Sequence, residues 1–348
     1  MATVAITREK EEQGCASVFA SPAVLQEALA AGGYVTDERT AHAAFYAARL
    51  NLPILLEGPA GAGKTEIAMA LRRITGMRLI RLQCYEGITD KQAIGDFNRA
   101  MQDLYVLMNK DSGKAWEVIA EELTSSRFYM AGPLLDAIEA DERCILLIDE
   151  IDKIPYAFEA MLLELLSVWQ LSVPGRGTVD ARTIPLTILT SNAVRELGDP
   201  LRRRCVYVVV QQPTAQMEAA IVARKSPHLN RRTHQFIAAF AEALRGWNME
   251  KPPSISEMNN LAQAMDLMGW PVITPEMSEL VYPLLVKRQG DLDRVRAKDQ
   301  FTVLLETARE NMIEAIAAEE AELAAAAESE SPARPQLVPG EPEVNHAE

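Results

Sequence analysis

The chain has 348 residues, 48% apolar and 24% charged, with a net charge of −14; that is the balance of a folded protein with room for two domains, not of a disordered one. Its longest apolar runs fall short of the roughly 18 residues of a membrane span, and the charged opening stretch MATVAITREKEEQG has no apolar segment behind it, so no secretory signal is expected. Cys15, Cys84, Cys144 and Cys205 are scattered, with no CxxC pair and no clustered histidines, which argues against a disulfide framework and a zinc site and fits a reducing, cytoplasmic setting.

Residues 1–20 read as a flexible leader. From Ser21 to Leu50 come two helical stretches, SPAVLQEALAAGG and TDERTAHAAFYAARL, the first opened by Ser21-Pro22 and stopped by Gly32-Gly33. Leu52–Glu57 is a short apolar run leading into Gly58-Pro59, the pattern of a buried strand and a turn. A helix follows over Lys64–Thr75, closed by Gly76. Further strand-like runs occur at Arg78–Cys84, Cys144–Ile148, Pro185–Thr190 and Cys205–Val210, with helical segments between them, notably Tyr156–Trp169. This alternation predicts an α/β domain with a mainly parallel sheet, over about residues 21–212.

After Gln211-Gln212-Pro213 the runs become helical: AQMEAAIVARK, RRTHQFIAAFAEALRG, SISEMNNLAQAMDL, TPEMSELVYPLLVK and a long one from Leu292 onward. They predict a second, all-helical domain over 213–313. The tail 314–348 holds nine acids against one arginine, so −8 of the net charge lies there and −6 elsewhere. Its Ala/Glu-rich first part favours prolonging a helix, and the prolines beyond Ser331 predict disorder. A body that is itself acidic disfavours non-specific binding to a nucleic-acid backbone.

Gly58-Pro59-Ala60-Gly61-Ala62-Gly63-Lys64-Thr65 fits GxxxxGK[ST], after a predicted strand and opening a predicted helix, and with Glu66 it is the expected phosphate-binding stretch. Glycines let backbone N–H groups approach an anion, and the helix N-terminus adds partial positive charge. Lys64 can reach β- and γ-phosphates, and the Thr65 hydroxyl can ligate Mg²⁺. Cys144-Ile-Leu-Leu-Ile-Asp149-Glu150 is a buried-strand pattern ending in two carboxylates. Asp149 can hold Mg²⁺ and Glu150 can activate a water as general base; on their own, acids after a strand are as readily the start of a solvated loop. Ile184–Asn192 is another apolar strand with a polar end, where Asn192 can bond the attacking water or serve only as a turn residue. Arg202-Arg203-Arg204, just before the strand Cys205–Val210, is either a solvated basic face or a source of a cation for a neighbouring subunit's phosphates.

The ordered set GPAGAGKT, ILLIDEID, TILTSN and PLRRRC resembles AAA+ ATPases, and within them the MoxR family, especially its branch associated with cofactor maturation of carbon monoxide dehydrogenase. The stretches LPILLEGPAGAGKTEIA, LIRLQCYEGIT, LLIDEIDKIPYAFEAMLLELLS and SNAVRELGDPLRRRC carry the resemblance, which covers about Gly33 to Val210 well and the helical part more weakly. It implies a sheet of strand order 5-1-4-3-2, a helical lid, ATP and Mg²⁺ as ligands, and a homo-oligomeric, usually hexameric, ring. By it, Asp149 and Glu150 match the metal and water-activating carboxylates, and Asn192 matches the polar sensor. Arg204 matches the arginine finger, with Arg203 as the fallback. It also implies an insertion near Gly87–Met101, a hairpin near Leu171–Arg182, and a partner bearing a von Willebrand factor A domain, the client enzyme being unspecified. One departure is visible: Pro253–Glu257 offers no arginine at the start of a lid helix. The expected activity is ATP hydrolysis driving the remodelling of a client. The alternatives are a nucleic-acid motor or clamp loader on the same core, which the acidic body disfavours, and a scaffold that ATP merely locks.

Overall fold

The computed structural model describes residues 17–247, 249–297 and 300–329, with side chains as far as 321. The readings of residues 1–16 as leader and of the proline-containing tail beyond 329 lie outside the described residues. Helices α1 (Pro22–Ala31) and α2 (Glu38–Leu50) precede the sheet; Ser21 and Asp37 cap them by accepting the backbone N–H groups of Val24 and Thr40, as short polar side chains do at helix starts. Strand β1 (Ile54–Glu57) leads through a glycine-rich loop into α3 (Glu66–Thr75), then β2 (Leu79–Gln83). An insertion follows: α4 (Asp90–Ala93), β3 (Gly95–Phe97), α5 (Arg99–Met108), α6 (Trp116–Leu123) and β4 (Tyr129–Ala131), with β3 and β4 paired antiparallel. Then come α7 (Pro133–Ile138), β5 (Ile145–Asp149), α8 (Tyr156–Val168), the antiparallel hairpin β6 (Gln170–Val173) and β7 (Gly177–Asp180), β8 (Leu186–Ser191), α9 (Asp199–Arg202) and β9 (Val206–Val209).

Five strands form one parallel sheet in the order β2-β5-β8-β1-β9. Counting these strands along the chain, the order reads 5-1-4-3-2 from the β9 edge, as the resemblance implies. Side chains alternate across a strand, so a sheet covered on both faces needs unbroken apolar runs. Leu55, Leu146, Ile148 and Leu189 point to one side, against α7 and α8, in one core. Ile54, Leu56, Ile145, Leu147 and Ile188 point to the other, against α1, α2 and α3. The polar residues at the strands' C-terminal ends therefore gather along one edge of the sheet, where open α/β sheets place their ligands.

The helical domain is α10 (Ala215–Lys225), α11 (Arg231–Arg245), α12 (Ile255–Met268), α13 (Ser278–Leu285), α14 (Gln289–Arg296) and α15 (Gln300–Ser329), closed around a third core that includes Phe240, Met258, Leu261, Met265 and Leu304. Among the described residues no helix is long and apolar enough to cross a membrane. Two stretches differ from the sequence reading. The insertion is larger than Gly87–Met101 and carries two helices that the sequence reading did not name; α5 buries none of its residues and leaves Met101, Leu104, Leu107 and Met108 exposed. The run from Leu292 is two helices: buried Asp291 accepts the backbone N–H groups of Glu250 and Lys251 and so anchors α14 to the preceding loop, while α15 starts afresh at Gln300 and runs unbroken past residue 313.

Gly58 is pinned where β1, β8 and β9 end together: its N–H donates to the Ser191 carbonyl at 3.1 Å, and a Cβ built on it would stand 2.1 Å from the Val210 carbonyl oxygen. Gly58→Ala is expected to destabilise the protein by about 1–3 kcal/mol, the usual cost of forcing an atom into a packed interior. A lowered midpoint of urea unfolding, with unchanged slope, is the reading that checks it.

Candidate functional site

The loop Gly58–Thr65 turns on Gly61 and Gly63, at φ +80° and +83°, a conformation open to glycine at little cost. Lys64 is buried and folds back over the loop. Its ammonium donates to the carbonyls of Gly58 at 2.8 Å and Pro59 at 2.7 Å, and to Asn192 Oδ1 at 2.9 Å. Burial pulls its pKa below the usual lysine range, against the opposing pull of Asp152, Asp149 and Glu150. Beside it the Thr65 hydroxyl donates to Asp149 Oδ1 at 3.0 Å.

Asp149 ends β5 and is buried. Its Oδ1 also takes the Thr190 hydroxyl at 2.5 Å, and its Oδ2 takes Arg81 Nη2 at 2.5 Å. Glu150 follows in the left-handed region, at φ +58°, with its N–H donating to Thr190 Oγ1 at 2.9 Å. Its carboxylate is held from three sides: by Gln83 Nε2 at 2.9 Å, by Lys153 Nζ at 2.6 Å and by Asn192 Nδ2 at 3.3 Å. Ala193, next to Asn192, is also left-handed at φ +56°. Positive φ in a non-glycine residue costs of order 1–3 kcal/mol and tends to mark functional sites. Here it falls on both loops that present the candidate chemistry. Buried Asp152 ties these loops together by accepting the Val194 N–H at 3.0 Å.

Lys64, Thr65, Asp149, Glu150 and Asn192 thus converge on one cavity of about 900 Å³. Ala60 to Glu66 line it too, and Val35, Val210, Met217, Ile221 and Ile255 supply apolar wall. Tyr34 packs against the loop, with its ring 3.7 Å from the place of a Gly63 Cβ, and burial pushes its phenol pKa up. The helical domain reaches the cavity through Met217, Ile221 and Lys225 of α10 and through Ile255, Ser256 and Asn259 at the start of α12. Ser254, capping that helix, lies against the phosphate loop: a Cβ on Gly61 would be 2.4 Å from Ser254 Cβ. The two expected finger arginines are not among the lining residues. Arg204 bonds the Ser167 hydroxyl of α8 and the Pro200 carbonyl, and Arg203, largely exposed, pairs with Asp199 at 3.5 Å. Arg202 instead turns inward, 3.7 Å from Glu57 and over the Tyr207 ring.

Four polar residues of the site carry no motif of their own: Arg81, Gln83, Lys153 and Thr190. Thr190 and Lys153 lie inside quoted motifs, TILTSN and DEIDK, and their spacing of one turn or less from Asn192 and Glu150 is the signal that could have found them. Thr65 and Asp149 offer hard oxygen donors 3.0 Å apart, the donor type and close spacing that suit Mg²⁺.

Residues 53–205 match the AAA domain, dynein-related subfamily. No curated protein matches the chain. Among solved structures, Thermotoga maritima RuvB, described as a Holliday junction branch migration motor, is 15% identical, covers 71% of this chain and 67% of its own, and superposes with a TM-score of 0.40. A proline-to-glycine mutant of that protein gives 14%, 71%, 68% and 0.42. Over residues 53–205, then, the chain is similar to AAA domains of the dynein-related subfamily, and it has an α/β P-loop fold followed by an all-helical domain.

Proposed function

We propose that this protein is a Mg²⁺-dependent ATPase of the MoxR type that hydrolyses ATP between subunits of a homo-oligomeric ring, in the cytoplasm, to remodel or activate a client protein. The reading rests on one observation above all: the side chains that grip phosphate, hold metal and activate water share a single cavity and are already joined by hydrogen bonds, Thr65 to Asp149 and Lys64 through Asn192 to Glu150. The core is taken as 21–212 and the lid as 213–313, with the Ala/Glu segment beyond it prolonging α15.

In this reading the amides of the Gly58–Thr65 loop and the Lys64 ammonium bind and orient the phosphates. Thr65 and Asp149 hold Mg²⁺, which when bound neutralises phosphate charge as a Lewis acid. Glu150 takes the proton of the attacking water, and Asn192 orients that water from the neighbouring strand. Arg204 belongs to the next protomer's site: half-buried and absent from the lining of its own cavity, it suits a cation delivered across an interface. With no arginine at the start of α12, the lid brings Thr214, Lys225, Ser256 and Asn259 to the cavity as its polar groups. A von Willebrand factor A domain protein is the partner class that the MoxR resemblance suggests.

Mixing tests the shared site. Arg204→Ala and Lys64→Ala proteins are each expected to lose ATP turnover, the former by about 10²- to 10³-fold, as when one donor to transition-state charge is removed. Mixed one to one, they form interfaces with one intact loop and one intact arginine and regain a measurable part of the wild-type rate. Arg204→Ala at the wild-type rate, or a mixture that regains nothing, overturns the interface site; a rate stimulated by nucleic acid and suppressed by salt favours a motor instead.

A further inference from the structure

The two oxygens of Asp149 are served differently. Oδ1 accepts two neutral hydroxyls, from Thr65 and Thr190, whereas the charge partner at Oδ2 is Arg81. In the β2–β5 register Gln83 lies opposite Asp149, and Arg81, two residues earlier on the same face, reaches along the strand as a diagonal neighbour. Arg81 lines the nucleotide cavity and its side chain is 45% exposed, while that of Asp149 is 4% exposed. The cation is therefore free to leave and the anion is not. A carboxylate buried this deeply needs a positive charge beside it, and the divalent cation proposed for this site would supply the same charge.

Arg81 has a second contact. Its Nη2 also donates to Gln83 Oε1 at 2.5 Å. An amide has one accepting and one donating end, so with its oxygen turned to Arg81, Gln83 presents its NH₂ to Glu150 Oε2, at 2.9 Å. A continuous chain, Asp149–Arg81–Gln83–Glu150, thus links the metal position to the candidate base.

We propose that Arg81 is a positioning residue that neutralises Asp149 until a divalent cation displaces it, and that its departure frees the Gln83 amide from Glu150, so that metal arrival and release of the base are one event. The inference rests on the ATPase reading. It makes Arg81 a competitor of the metal, where a residue that merely braced the fold would not affect metal affinity in this direction.

The test is a titration of Mn²⁺ into full-length protein with ADP, followed by the electron paramagnetic resonance signal of free Mn²⁺, with ADP uptake without metal measured alongside in chelator. Arg81→Met keeps the stem and removes the charge; it is expected to take up Mn²⁺ about two- to fivefold more tightly than wild type, the scale of a half-exposed ion pair. Arg81→Lys, which keeps the charge, is expected to stay within about twofold of wild type on the same scale. Mn²⁺ affinity unchanged or weakened in Arg81→Met, with ADP uptake intact, overturns the role of Arg81 and leaves the ATPase reading standing. Failure of wild type to take up ADP at all, with or without Mn²⁺, overturns the ATPase reading itself.

Discussion

Glu150→Gln is expected to lower ATP turnover by about 10²- to 10⁴-fold, the contribution of a positioned general base, while ATP affinity stays within about threefold of wild type, well under 1.4 kcal/mol. The substitution keeps the side chain's length and its backbone, which already adopts φ +58°, and it leaves Lys64, Thr65 and Asp149 in place. What it removes is the capacity to take a proton from water. The neighbours are suited to a carboxylate: three donors, from Gln83, Lys153 and Asn192, face it, and a glutamine turns its NH₂ toward at least one of them. The variant should therefore trap ATP without consuming it. Single-turnover hydrolysis measured with calorimetric binding separates the two effects, and wild-type turnover in Glu150→Gln removes Glu150 from the chemistry.

Lys64→Ala should fail one step earlier, at binding. The Lys64 ammonium, held by the carbonyls of its own loop and by Asn192, exchanges those neutral acceptors for phosphate oxygens when nucleotide enters. Charge-assisted hydrogen bonds contribute about 1.5–3 kcal/mol each, so losing one weakens ATP binding by about 10- to 150-fold. The fold should survive, because removing this buried cation leaves behind two carbonyls and an amide that water can serve. An ATP affinity within about twofold of wild type in Lys64→Ala overturns the assignment of the loop, on the same scale. Together the two variants separate gripping from cleaving: one binds without turnover, the other does neither.

Much of this architecture is written locally. The central strands β1, β5 and β8 are mostly apolar runs because both faces are covered, and the glycine loop, Asp149-Glu150 and Asn192 announce themselves by position at strand ends. Arg81 and Gln83 were not legible, because their meaning comes from β2 lying beside β5, a neighbour 62 residues away in the chain that no periodicity encodes. The insertion helices were missed although α5 has a helical stripe, Met101, Leu104, Tyr105 and Met108; it buries nothing, so no core within the chain answers to it. The lid's helices were visible in the sequence, but which of their residues meet the cavity depends on how α12 docks. Likewise, the contact of Arg204 with Ser167 follows from α9 packing beside α8.

The seat of Ser254 against Gly61 has a mechanical consequence. With 2.4 Å between the serine Cβ and the space a side chain at Gly61 would fill, the phosphate loop and the first turn of α12 act as two arms of one lever whose fulcrum is a missing methyl group. The loop cannot lift without tilting the helix, and the helix cannot swing without rubbing across the loop. In the proposed ATPase, a shift of the loop on meeting a γ-phosphate would reach the lid through this steric contact, with no arginine at the start of α12 to carry the message.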